Sequence, residues 1–163
     1  MSEDIRPDTP AVRLLREAGI AYTDHCYAYE ETGGTALCAK ELKVDEHSVV
    51  KAIVLEADGR PLIVLMHGDM RASAKELGKI AGAKAVLPCP PQKVEGYTGY
   101  EVGGVSPFGT RVEIPVYMEE TILNLRKIYI NGGKRGYLVG IDPYDAVKVL
   151  HPTLVKVGSS RAA

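Results

Sequence analysis

"SVVKAIVLEADGRPLIVLMHGD", residues 48–69, carries the strongest architectural signal in the chain. Two runs of β-branched and aliphatic residues flank Asp58-Gly59, a dipeptide suited to a tight hairpin turn. A hairpin in mid-chain needs other strands to cover its two edges, and the flanks supply them. "AYTDHCYAY" (21–29) alternates as a strand does, and "RVEIPVYMEETILN" (111–124) reads as a strand with a turn of helix at Glu119–Leu123. "RKIYI" (126–130) and "GYLVGI" (136–141) form a second hairpin with its turn at Asn131-Gly132. "TLVKV" (153–157) closes the set.

Helices fall between these strands. "TPAVRLLREAGI" has Thr9 as cap, Pro10 at the first helical position and Gly19 as stop. "TALCAKELKV" (35–44) starts from Thr35, "MRASAKELGKIAGA" (70–83) from Ser73 with Gly82 as stop, and "DPYDAVKVL" (142–150) from Asp142. "PCPPQKVEGYTGYEVGGVSPFG" (88–109) is dense in Gly and Pro and reads as irregular. The elements follow no regular βαβ beat. The fold class expected is α+β, a single domain over 9–157 with a mixed sheet and helices, and flexible termini at 1–8 and 158–163.

Composition narrows the function. The chain has 163 residues, 20 basic and 21 acidic, with net charge −1. Non-specific binding to DNA or RNA usually rests on a basic excess, so any nucleic-acid contact is expected to be a small local patch. No apolar stretch approaches ~20 residues, so no membrane span is expected. The polar, acidic start "MSEDIRPDTP" does not resemble a secretory signal. Cys26, Cys38 and Cys89 form no disulfide framework and no zinc-ligand spacing, which points to a reducing cytoplasm and to no metal.

Three features stand out against this plain background. Lys51 interrupts the apolar run "VVKAIVL", on the same strand face as Val49, Ile53 and Leu55. An ammonium there either snorkels to water or lines a pocket that receives an anion or a carbonyl. "TGYEVGGVSPFG" (98–109) is either a surface loop or an anion-binding nest built on Gly103 and Gly104, with Ser106-Pro107 imposing extended backbone. "INGGKRGYLVG" (130–140) is either a charged hairpin tip or a place where Lys134 and Arg135 meet phosphate. Neither glycine stretch fits a Walker or a dinucleotide fingerprint. The histidines form no legible triad, and His67 before Asp69 is the most suggestive of the four.

Taken in order, "TPAVRLL", "VVKAIVL", "TGYEVGGVSPFG" and "INGGKRG" resemble the YbaK-type family of aminoacyl-tRNA deacylases, relatives of the editing domain in bacterial prolyl-tRNA synthetases. The resemblance runs from about Thr9 to Leu150. It implies a curved, partly barrel-like sheet and a pocket for the aminoacylated 3′ end of tRNA. It also implies hydrolysis of the ester to a wrong amino acid, with prolyl-tRNA synthetase as a partner and no metal or organic cofactor. By the same resemblance, Lys51 is the key catalytic lysine. Gly103, Gly104, Ser106 and Pro107 form a substrate-side loop; Asn131, Gly132, Gly133, Lys134, Arg135 and Gly136 form a second; Tyr27 is an aromatic of the site. An activated ester needs positioning and charge stabilisation more than a strong base, which suits a site made of lysine and glycine loops.

The chain departs from the cysteine-specific members of that family. Leu138 stands where they carry aspartate, "TGGT" (32–35) where they carry phenylalanine, and Asn131 where serine is common. Small amino acids other than cysteine are therefore among the expected substrates. The rival expectation is a catalytically weak adaptor of the same fold that binds tRNA or a synthetase without turnover.

Overall fold

Asp58 and Gly59 turn the chain in the left-handed region, with φ of 49° and 82°, as a two-residue hairpin of this twist requires. They join β2 (Val49–Ala57) to β3 (Arg60–His67). The Asp58 carboxylate also accepts from the backbone N–H of Lys84 and Ala85, which holds its pKa below the ordinary value. The computed structural model describes residues 7–160.

Around this hairpin lie β1 (Thr23–Cys26), β4 (Met70–Ala72), β5 (Val86–Pro88), β6 (Val116–Glu119), β7 (Ile128–Lys134), β8 (Tyr137–Ile141), β9 (Thr153–Val155) and β10 (Gly158–Ser160). The main sheet runs β1-β8-β7-β2-β3-β6-β9, with β5 also on β2, while β4 and β10 form a small second sheet. β2 pairs antiparallel with β3 and β5 and parallel with β7. The helices are α1 (Pro10–Glu17), α2 (Gly34–Leu42), α3 (Ala74–Ala81), α4 (Pro91–Thr98) and α5 (Pro143–Leu150). The expected mixed α+β domain is what the chain forms.

Strand alternation divides the packing. One face carries Val50, Ile63, Leu65, Ile128, Ile130, Val139 and Ile141 into the main core, with Phe108, Leu15 and Met118. The other carries Leu62, Val64 and Met66 against Leu77 of α3. A smaller cluster of Cys38, Ala39, Val49 and Leu138 seats α2 on the sheet. Each fully buried aliphatic contributes about 1.5–3 kcal/mol, so the main core dominates stability.

Caps formed where local sequence placed them. Thr9, Ser73 and Asp142 accept from Val12, Glu76 and Tyr144 N–H groups. Thr35 does not cap α2; Gly33 holds that position without a side-chain bond, and the Thr35 hydroxyl crosses to another segment.

Five further expectations differ from the structure. The Gly/Pro-dense stretch contains α4, because Pro91 sits at the helix start and Gly99, φ 81°, just past its end, where both residues favour a helix. Residues 111–115 precede the strand, which begins at Val116, and the first strand is shorter than 21–29. The second hairpin turns at Arg135-Gly136; Asn131-Gly132 lies within β7, at a bulge between Asn131 and Lys134. The chain after 157 pairs before it ends: Gly158–Ser160 joins Met70–Ala72, fixed by Glu119, whose carboxylate accepts from Val157 and Gly158 N–H. Of the other residues expected to be flexible, Asp8 pairs with Arg13 at 3.3 Å, and 1–6 and 161–163 lie outside the described residues.

Gly96 in α4 has open space where a side chain would begin and ordinary backbone. Gly96→Ala is expected to raise stability by about 0.5–1 kcal/mol, since alanine loses less entropy in a helix. Thermal denaturation should show a Tm higher by ~1–4 °C.

Candidate functional site

β2 and β7 stay together only over Val49–Val50 and Tyr129–Ile130. Where they part, a cleft of about 320 Å³ opens beneath α2 and the 101–105 loop. Lys51, Tyr27, Gly103 and Asn131 all line it, and Leu138 and Cys38 contribute apolar wall. Glu30 and Glu31 stand exposed at its margin.

The Lys51 ammonium donates to the Gly68 carbonyl at 3.4 Å and is half-buried. That carbonyl also lies 3.1 Å from the Thr35 hydroxyl, which is 2.7 Å from Glu46 Oε2. Thr35 lines the cleft as well. Lys51 is thus oriented by a turn fixed in two directions, and it neither extends freely nor needs to snorkel.

Asn131 joins the two glycine loops. Its Oδ1 accepts from Gly133 N–H at 2.6 Å and Lys134 N–H at 3.1 Å, and its Nδ2 donates to Gly103 O at 3.2 Å. Arg135 reinforces the junction. Its Nε donates to Val102 O at 2.8 Å, and its guanidinium lies 5.2 Å over the Tyr29 ring. Gly104 permits the contact, since a Cβ there would come 2.9 Å from the Arg135 backbone nitrogen.

The structure therefore sorts the residues singled out from sequence. Lys51, Tyr27, Gly103 and Asn131 share the cleft. Gly104 and Arg135 hold its loop in place. Ser106 and Pro107 are buried behind it, Ser106 Oγ accepting from Phe108 N–H. Gly132 is buried against Tyr137, and its carbonyl accepts from the Thr9 hydroxyl at 2.6 Å. With the Gly133 amide turned to Asn131, that loop offers few amides to a ligand. Lys134 is exposed at the hairpin tip, beside the cleft loop but outside its lining. Leu138 and the Thr32–Thr35 stretch, where the chain departs from the cysteine-specific pattern, reach the cleft wall through Leu138, Gly34 and Thr35. Cys38 had no such signal in the sequence, because it arrives through a contact between distant segments.

Electrostatics leave the floor neutral. Burial pushes the Tyr27 hydroxyl well above its usual range, and the hydrogen bond to Cys38 adds to this. Burial also raises the Cys38 thiol. A raised thiol is a poor nucleophile, so covalent thiol catalysis does not fit this cleft.

A second titratable group lies outside it. The His47 and His67 rings stack 3.7 Å apart and 5° from parallel, and His47 Nδ1 donates to Asp69 at 2.9 Å. The three offer ligand atoms within 4.8 Å of one another. A metal bound to imidazole lies near the ring plane, and two parallel planes this far apart share no such point. Both His67 nitrogens are also engaged, with His47 O at 2.7 Å and the Thr121 hydroxyl at 2.8 Å. The trio fits a structural clamp better than a metal.

Burial lowers the His67 pKa below 6.5, and the backbone bond to His47 opposes this only in part. A base whose folded pKa is depressed takes up protons more readily when unfolded. Its stabilisation is complete above about pH 6.5 and is lost as pH falls towards the folded value. Tm measured from pH 7.5 to 5 is expected to decline, and His67→Gln to decline less steeply.

Comparison with known proteins places the chain in context. A family model described as "Aminoacyl-tRNA editing domain" matches residues 30–149. An Enterococcus faecalis protein that carries the name Cys-tRNA(Pro)/Cys-tRNA(Cys) deacylase is 27% identical over 137 residues, 83% of this chain and 84% of that one. A proline–tRNA ligase of Moorella thermoacetica is 31% identical over 103 residues, 63% of this chain but 18% of the ligase. A solved structure described as a trans-editing enzyme for prolyl-tRNA synthetase superposes with TM-score 0.80 at 19% identity, covering 94% of this chain and 100% of that one. A hypothetical protein of known structure superposes at 0.84 with 24% identity, covering 92% and 99%. At such identities, the structural likeness speaks for the fold.

Proposed function

The chain belongs to the aminoacyl-tRNA editing domain family, and from that premise we propose that it is a trans-editing deacylase. It hydrolyses the ester between a wrong amino acid and tRNA, with tRNA(Pro) carrying Cys or another small amino acid as the leading substrate. The supporting observation is the half-buried Lys51 ammonium in a cleft that Gly103 and Asn131 also line.

Such a cleft suits an ester that is already activated. Lys51 neutralises negative charge at the terminal nucleotide or on the reacting carbonyl, and the tied loops hold the acyl end where water reaches it. The neutral Tyr27–Cys38 pair supplies no base, so proton transfer falls to the substrate's own ribose hydroxyl or, for cysteine, its thiol. The wall of Leu138, Cys38 and Val49 is apolar, which favours a small side chain without charge. With net charge −1 the chain is expected to bind tRNA weakly, and prolyl-tRNA synthetase is the partner that would deliver it.

The test is a panel. tRNA(Pro) and one unrelated tRNA, each charged with Cys, Ala or Ser, are incubated with the protein and amino-acid release is followed. Release of at least one small amino acid well above the spontaneous rate is expected. Binding without release across the panel would point to an adaptor instead.

A further inference from the structure

β2 has one fully paired edge and one interrupted edge. The first follows β3 throughout. The second is shared: Val49–Val50 pair with β7, and Leu55–Ala57 pair with β5. Cys89 N–H donates to Val54 O across this edge at 3.2 Å, while Val49 O accepts from Gly68 N–H on the other side. Alternation then turns the main-chain N–H and C=O of Ala52 to the interrupted edge. Neither β7 nor β5 reaches that residue, and no other backbone partner stands there among the described residues. Ala52 is half-buried and lines the cleft next to Lys51.

A donor and an acceptor on one strand residue, open on one edge, form half of a closely spaced antiparallel pair. The missing half is any residue-like group with a donor and a carbonyl either side of one carbon. An α-aminoacyl ester has this form: the ammonium donates and the ester carbonyl accepts. Resting on the deacylase reading of this cleft, we propose that the Ala52 main chain recognises the α-aminoacyl group as a neighbouring strand would. Its N–H donates to the ester carbonyl oxygen, and its C=O accepts from the α-ammonium. The contact reads the α-amino ester itself and leaves the side chain to the apolar wall.

The same N–H serves the chemistry. Water oxygen bonds to the carbonyl carbon, and the carbonyl oxygen becomes an oxyanion that still faces Ala52 N–H. The ribose oxygen then leaves with a proton that came from the water, giving free amino acid and uncharged tRNA. A backbone donor aimed at such an oxyanion is worth about 10²–10³ in kcat.

Two measurements test this. L-lactate is incorporated at position 52, replacing the Lys51–Ala52 amide by an ester and removing only that N–H; the same exchange at Ile53, whose N–H faces β3, is the control. The Ala52 exchange is expected to lower kcat about 10²-fold with KM little changed and the fold retained by circular dichroism. The Ile53 exchange should lower Tm and leave kcat within a few-fold. Equal kcat for the Ala52 variant and an active wild type overturns the proposal. Independently, 15N-labelled protein is titrated with 3′-(L-alanylamino)-3′-deoxyadenosine, a stable amide analogue, and with its propionyl counterpart lacking the amine. The Ala52 amide resonance should move with the alanyl analogue at lower concentration than with the propionyl one. An unmoved Ala52 resonance at saturation overturns the proposal whatever the turnover. Movement in a protein that hydrolyses none of the panel supports recognition by Ala52 and counts against the deacylase reading alone.

Discussion

Lys51→Ala is expected to lower kcat/KM for release of a small amino acid from mischarged tRNA by about 10²-fold, or ~2.7 kcal/mol of transition-state stabilisation. The half-buried ammonium rests on the Gly68 carbonyl, so it meets a substrate oxygen without first being ordered. A charge fixed in a poorly solvated cleft acts more strongly than one in water, because less solvent screens it. Stability should change little, or rise slightly, since alanine removes an ammonium from a partly buried site. Lys51→Arg should restore only part of the activity, as the planar guanidinium cannot occupy the position of a compact ammonium. Steady-state kinetics on the panel substrate, with Tm recorded alongside, checks both variants against the wild type. Undiminished turnover in Lys51→Ala would remove this residue from the mechanism.

Gly132→Ala is expected to destabilise the fold by about 2–3 kcal/mol. Its added Cβ would stand 2.6 Å from Tyr137 Cδ2 and 3.1 Å from Val139 Cγ1. The Tyr137 ring is fully buried, and its hydroxyl bonds the Asp24 carboxylate, so it has nowhere to withdraw. The backbone must shift instead, and Gly132 O, which accepts from the Thr9 cap, shifts with it. Chemical denaturation should give a lower midpoint, and Tm should fall by roughly 4–12 °C. Activity should fall too, because Asn131 and its ties to Gly103 sit one residue away. A midpoint unchanged from wild type would mean that β7 and β8 pack more loosely here than described.

Signals carried by residues near one another match the structure in most places. Thr9, Ser73 and Asp142 cap their helices through bonds spanning two or three residues, and Asp58-Gly59 forces its turn through its own φ angles. Lys51 announced itself because a cation among Val, Ala and Ile breaks a pattern of period two. Sequence and structure part where a local signal has two meanings. Pro91 and Gly99 can break a helix or begin and end one, and Asn131-Gly132 can make a hairpin turn or a bulge.

The role of each loop residue lay beyond such signals. Asn131 reaches Gly103 over 28 residues of chain, and Arg135 reaches Val102 over 33. Nothing in the local composition of either loop distinguishes a cation that pins a neighbour from one that waits for phosphate. Four of the five described helices, the Asp58-Gly59 turn and the strand that carries Lys51 were thus legible in the sequence alone, since capping, turning and alternation act within a few residues. Tertiary structure alone decided that β2 exchanges one partner for another beside Ala52, and so where the cleft opens. That exchange depends on ladders between residues far apart in the chain, whose pairing is set by the packing of the whole sheet.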